Sequence, residues 1–263
     1  LVIVVAGSQQ IAELSALNVG LSAAVDILDS NGAAVNITAT NVSLLAGGTI
    51  GQANLANSPG VNDNAIDLNV TSVAAQSSNG IYLREVSAGG DLTIGHVSTI
   101  GVAIGVNQVN FDNTTSPATA SNSVTSRDDV TATANGAVKI VVDNGSLTVT
   151  DGNDNDGVGV STSNGNVLLE VRGASSDLII STNAAIVSNG GHITLIAADD
   201  IHQNAELRTS DTGSIYLVAN NGNMDAAGLI IDGVNVGGSI TSASGDILLT
   251  SGRDIRATNL ISS

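Results

Sequence analysis

Residues 191–197 read Gly191-His192-Ile193-Thr194-Leu195-Ile196-Ala197, and the same frame returns along the chain. It appears as GIYLREV from Gly80, GAVKIVV from Gly136, NVLLEV after Gly165, GSIYLVA from Gly213 and GDILLTS from Gly245. The first aliphatic positions after each glycine are Ile81, Val138, Val167, Ile193, Ile215 and Ile247. Two residues later stand Leu83, Ile140, Leu169, Leu195, Leu217 and Leu249. Side chains alternate along a strand, so the two columns share one face. Every position in them is aliphatic. Stacking such strands in parallel, ~4.8 Å apart, lays each residue on its equivalent and builds two continuous ladders.

A shorter strand follows most copies: GDLTI from Gly90, GSLTV from Gly145, DLII from Asp177 and GRDIRA from Gly252. It extends the core with Leu92 and Ile94, Leu147 and Val149, and Leu178 and Ile180. Thr93, Thr148, Lys139 and Glu170 fall at the outward positions. The anchoring glycines are spaced 56, 29, 26, 22 and 32 residues apart, and the first gap has room for one weakly marked copy. These spacings predict an all-β chain folded as a single-stranded parallel β-helix, a β-solenoid of nine to ten coils of ~27 residues. A β-sandwich would repeat turn signals every ~8–12 residues without an alignable column.

Composition agrees. Of 263 residues, 29 are Val, 24 Ile and 22 Thr, types that fit a pleated surface better than a helix. Acidity is carried by 20 Asp against 4 Glu, and 30 Gly and 28 Asn accompany them, as expected of many turns. The formal charge of −17 argues against nucleic acid or anionic lipid as partner. There is no cysteine, hence no disulfide framework. No apolar run approaches the ~20 residues of a membrane-spanning helix, which speaks against membrane insertion.

Residues 1–263 read as one continuous domain, although the strands of 1–79 (VDIL, AVNITAT, VSLLA, AIDLNV) are weaker. Residues 111–129, FDNTTSPATASNSVTSRDD, read as a polar loop projecting from one corner. The opening LVIVVAG looks like the middle of a strand, and the closing ATNLISS has no obvious cap. Both ends are therefore expected to abut further coils, in a longer polypeptide or head to tail in a fibre.

Few residues suggest chemistry. His96, His192 and His202 are isolated from any metal-protease pair, and no nucleophile elbow or phosphate loop occurs. Asp199, Asp200 and His202 come nearest to an acid–base cluster, but they read first as a corner turn whose carboxylates bond backbone amides. No enzyme is expected. The alternative is a polysaccharide-active β-helix enzyme, whose carboxylate pairs perform glycoside chemistry; such sites favour aromatic platforms, and only Tyr82, Tyr216 and Phe111 are present.

The best metal candidate is Asp151, Asn153, Asp154 and Asp156, alternating oxygen ligands on a glycine-rich turn that suit calcium. It departs from an EF-hand loop, because its glycine is one place late and Thr162 stands where a bidentate Glu belongs. A second candidate is an outward apolar strip of Leu168, Ile196, Tyr216, Val218 and Leu248, at positions that a solvated sheet gives to Thr, Ser, Asn or Lys. Contiguous exposed apolar surface marks a binding face unless another segment, such as 111–129, covers it.

The passage NVSLLAGGTIG … AIDLNVTSVAAQSSNGIYLREVSAGGDLTIGHV, with repeats such as GHITLIAADDI and GDILLTSGRDI, resembles the repeat regions of filamentous-haemagglutinin-like bacterial exoproteins. The resemblance covers most of residues 33–263. It implies a right-handed β-helix, export to the cell surface, and a role in adhesion, biofilm matrix or surface fibres. Expected partners are other copies of the chain and a surface carbohydrate or host ligand, or, in a third reading, a ligand of a calcium-dependent binding module.

Overall fold

The computed structural model describes residues 1–53, 64–226, 229–231, 234–236, 238–257 and 260–262. Among the described residues there is no helix; the chain runs through 32 short strands, most of them in two large sheets. No helix is therefore long and apolar enough to cross a membrane. One sheet has sixteen strands and the other twelve, and successive strands within each pair in parallel.

The two aliphatic columns lie in register in the twelve-stranded sheet. Ile81, Val138, Val167, Ile193, Ile215 and Ile247 are consecutive cross-strand partners, as are Leu83, Ile140, Leu169, Leu195, Leu217 and Leu249. The shorter strands line up in the other sheet, Leu92 on Leu147, Leu178 and Ile201. A third row runs Val130, Val160, Ile186, Leu207, Ile240. The inward residues of all three rows join one hydrophobic cluster reaching from Ile11 to Ile240. The chain is thus all-β, with parallel strands stacked in two sheets around one core, as a β-helix requires.

The first 79 residues use a different division of the same cross-section. There the sixteen-stranded sheet holds single long strands, Asn18–Ala23, Asn41–Ala46 and Ser72–Ser77, each facing two short strands of the other sheet. At Ser72–Ser77 the sheet forks. Ser72 and Val73 pair with Leu92–Ile94, whereas Ala75, Gln76 and Ser77 pair with Val130–Ala132. Opposite the fork, Gly80–Glu85 is continuous and spans both Thr49–Ile50 and Ile66–Asn69. The corner thus moves from one sheet to the other, and the anchoring glycines mark only the later arrangement.

Those glycines sit where coils touch. A Cβ on Gly165 would overlap the carbonyl of Gly136, and one on Gly191 the carbonyl of Gly165, so backbone packs directly on backbone. Three residues before several of them stands a buried hydroxyl that sequence inspection passed over. Ser188 Oγ donates to the Gly165 carbonyl (2.9 Å) and accepts from the Gly191 N–H (2.8 Å). Thr162 repeats this with Gly136 and Gly165 (2.7 and 3.0 Å), and Ser242 with Gly213 and Gly245 (2.6 and 2.9 Å). These hydroxyls satisfy backbone groups at the bend that water cannot reach.

The expected loop at 111–129 is instead one arm and the tip of an antiparallel hairpin. Ile100–Val109 pairs with Thr115–Val124 over ten residue pairs, Pro117 opposite Asn107. The tip is closed by Asn110 and Thr114, with Asn113 in the left-handed region (φ 63°) and Phe111 fully exposed. Most of its side chains are exposed, so no apolar alternation betrayed the strands. Its base is anchored: Val124 and Ile100 close over Gly20, and Ile100 packs with Ala74, Val97 and Val2.

Candidate functional site

The hairpin's return lands on the acidic turn. Arg127, Asp128 and Asp129 lead from the hairpin into strand Val130–Ala132, and Val130 pairs with Val160 beyond the turn 151–157. The register therefore brings Asp129 against Asp151, Asp154 and Asp156, and each offers a carboxylate oxygen within 4.8 Å of the others. Asn153 joins this arrangement through its backbone, its N–H donating to Asp128 Oδ1 at 2.7 Å. The same Asp128 oxygen meets His96 Nδ1 at 2.7 Å. Asp151 accepts from the Gly157 N–H (3.0 Å) and Asp156 from the Val158 N–H (2.8 Å), which shapes the turn.

Three of the four sequence candidates thus converge, and Asp129 is the member that only the register supplies. It is 4% exposed, and its Oδ1 is buried without a hydrogen-bond partner. Burial, followed by repulsion from Asp154, Asp156, Asp128 and Asp151, pushes its carboxyl up to about 8. Partial burial and its acidic neighbours raise Asp154 too. Asp129, Asp154 and Asp156 border a hollow of about 240 Å³ that Asp128, Arg127 and Gln76 also line. Arg127 does not neutralise it; its Nη1 donates to Gln76 Oε1 at 2.5 Å. Crowded carboxylate oxygens are the ligand type that hard cations take.

The apolar strip lies on the outer face of the twelve-stranded sheet. Leu168, Thr194, Tyr216 and Leu248 form one row, while Ile196 and Val218 are neighbours in the adjacent row after Glu170. Tyr216 is 38% and Leu248 56% exposed; the other three are half-buried. The hairpin does not cover this strip, because its base packs on the opposite sheet. Nor do the strip's outer rows stay apolar: nearer the fork they continue into Lys139 and Tyr82, and into Arg84, which contacts Asp143 at 2.7 Å.

The remaining histidines serve the turns. His192 Nδ1 accepts from the Ser214 N–H at 2.9 Å. Asp200 receives the Asn223 N–H and lies 3.9 Å from His202, while Asp177 receives the Asp200 N–H at 3.0 Å. Asp177 and Asp200 thus shape a corner by stacked carboxylate–amide bonds, the Asp199 N–H donates to the Ser176 carbonyl (3.2 Å), and His202 lies in strand Ile201–Gln203. Compared with known proteins, the chain matches no family model, and neither curated proteins nor solved structures give a match.

Proposed function

We propose that this chain is a stretch of extracellular β-solenoid acting as the shaft of a bacterial surface adhesin, or as a subunit of a surface or matrix fibre. In this reading the two sheets are walls of one closed, right-handed tube. The tube of this reading has nine to ten coils and a length of ~45 Å. The observation that carries it is the unbroken in-register aliphatic ladder, which makes a stiff element of constant cross-section. The resemblance to filamentous-haemagglutinin-like repeats supports the surface role.

The natural partner is another stretch of the same fold. Among the described residues, Val2–Val5 is the outermost strand at one edge, and Ile255–Ala257 and Leu260–Ser262 are the outermost at the other, each with a neighbour on one side only. Such edges accept a further strand, from the same polypeptide or another copy. The strip around Tyr216 and Leu248 offers a lateral face for a copy or a surface carbohydrate. Electron microscopy and light scattering at ~0.15 M salt test this: rods of the stated length that join into filaments are expected. Compact particles that stay single at high concentration overturn it.

A second reading, a polysaccharide-active enzyme, draws on the carboxylates and Arg127 gathered at the hollow. Release of reducing ends from a polysaccharide, lost in Asp154→Asn, would favour it over the shaft; no release is expected.

A further inference from the structure

We propose that Asp129, Asp151, Asp154 and Asp156 form a calcium site that clamps the returning arm of the hairpin to the turn of the neighbouring layer. The four carboxylates come from two segments more than twenty residues apart, and the parallel pairing of Val130 with Val160 holds them together. Calcium–oxygen bonds of about 2.3–2.6 Å place opposite ligands up to about 5 Å apart. A set of oxygens all within 4.8 Å of one another fits around one such ion.

The buried member points to a ligand independently of the acidic count. Asp129 is 4% exposed, its Oδ1 meets no donor, and its backbone carbonyl is already taken by the Ala75 N–H at 2.8 Å. A carboxylate buried without a donor is costly unless a cation reaches it. None of the four makes an ion pair with Lys, Arg or His among the described residues. The hollow beside Asp129, Asp154 and Asp156 gives the ion an entry path and room for water ligands. Asp128 is not part of the set, since His96 and the Asn153 N–H occupy its Oδ1.

The clamp stands apart from the shaft reading. Filaments without calcium binding would overturn only the clamp, and calcium binding without filaments only the shaft. The test is isothermal titration of the chelator-stripped chain with calcium chloride, paired with thermal melts. One ion per chain is expected, with a melting rise of roughly 5 °C or more at a hundredfold excess over Kd. Asp154→Asn, in the exposed turn, should weaken binding at least ~10-fold. Asp129→Asn should abolish the calcium-dependent rise yet melt no lower than the native chain in chelator, because it removes the crowded acid without changing the size of the buried side chain. Asp112→Asn at the hairpin tip should respond like the native chain. The clamp is refuted by silence up to ~10 mM calcium, by an unchanged response in both Asp154→Asn and Asp129→Asn, or by an equal response to magnesium.

Discussion

Glu85 is a carboxylate in a column of aliphatic residues, in register with Leu68 on one side and Val142 on the other, and fully buried. It survives there because its oxygens curl back onto the chain: Oε2 accepts the Val70 N–H at 2.9 Å and Oε1 the Ser87 N–H at 3.0 Å. Burial nevertheless raises its pKa, the two hydrogen-bonded neighbours pull it down less, and the Asp143 charge adds to the rise. The folded state therefore holds this proton more tightly than the unfolded chain. Its contribution to stability is complete below the ordinary glutamate range and is lost as pH rises through the raised value. Glu85→Gln should remove that dependence, so the gap in melting temperature between native and variant should change as pH rises from below the ordinary glutamate range. A gap constant with pH would count against the buried ionisation. Glu85→Ala should cost about 1–3 kcal/mol below the ordinary glutamate range, by stranding two N–H groups.

A strand of this fold has two unequal faces. In Ile193–Ala197, Leu195 is fully buried between Leu169 and Leu217, whereas Thr194 faces outward between Leu168 and Tyr216. Leu195→Asp puts an unpaired charge inside the core and should cost on the order of 4 kcal/mol or more, unfolding the neighbouring layers with it. Thr194→Asp keeps its charge in water and should cost under about 1 kcal/mol. Urea melts separate the two; similar midpoints would refute the facing of the strand. The hairpin obeys different rules, since neither face of Ile100–Val109 or Thr115–Val124 is covered beyond its base. Backbone pairing and the anchored Ile100 and Val124 hold it, and it presents Ile104, Val106, Val109 and Phe111 to the surroundings.

For the proposed self-association the opposing terms are charge and the pairing of edge strands. Only 7 basic residues face 24 acidic ones, and part of the positive charge is already spent within one copy. Arg84 bonds Asp143, and Arg172 bonds Glu170 at 2.8 Å. Approach of two copies is therefore repulsive at low ionic strength, where the Debye length is ~30 Å at 0.01 M, and much less so at ~8 Å in 0.15 M. Edge pairing and apolar contact act only at short range and keep their strength. Sedimentation velocity should shift to larger species as sodium chloride rises from ~0.01 to ~0.15 M. A distribution indifferent to salt would place the association, if any, on some other force.

Several features follow from residue order alone. Aliphatic residues alternating behind a spaced glycine dictate strands, and identical columns dictate that these strands stack in register, because any slip would turn Leu195 or Leu217 toward water. The acidic turn at 151–157 was legible for the same local reason, its alternating Asp and Asn oxygens. The rest required three dimensions. The fork at Ser72–Ser77 has no local signal, since one strand there serves two rows at once. The hairpin lacks a buried face and so lacks a hydrophobic period. The bend hydroxyls look like ordinary surface Ser and Thr until the next layer's glycine carbonyl arrives beside them. Asp129, in a polar run after the hairpin, is distinguished only by the stacking of Val130 on Val160, which carries it against the turn and seals it from water. Pattern along a chain determines which face is buried; which residues from distant segments share a buried place is decided by the stacking itself.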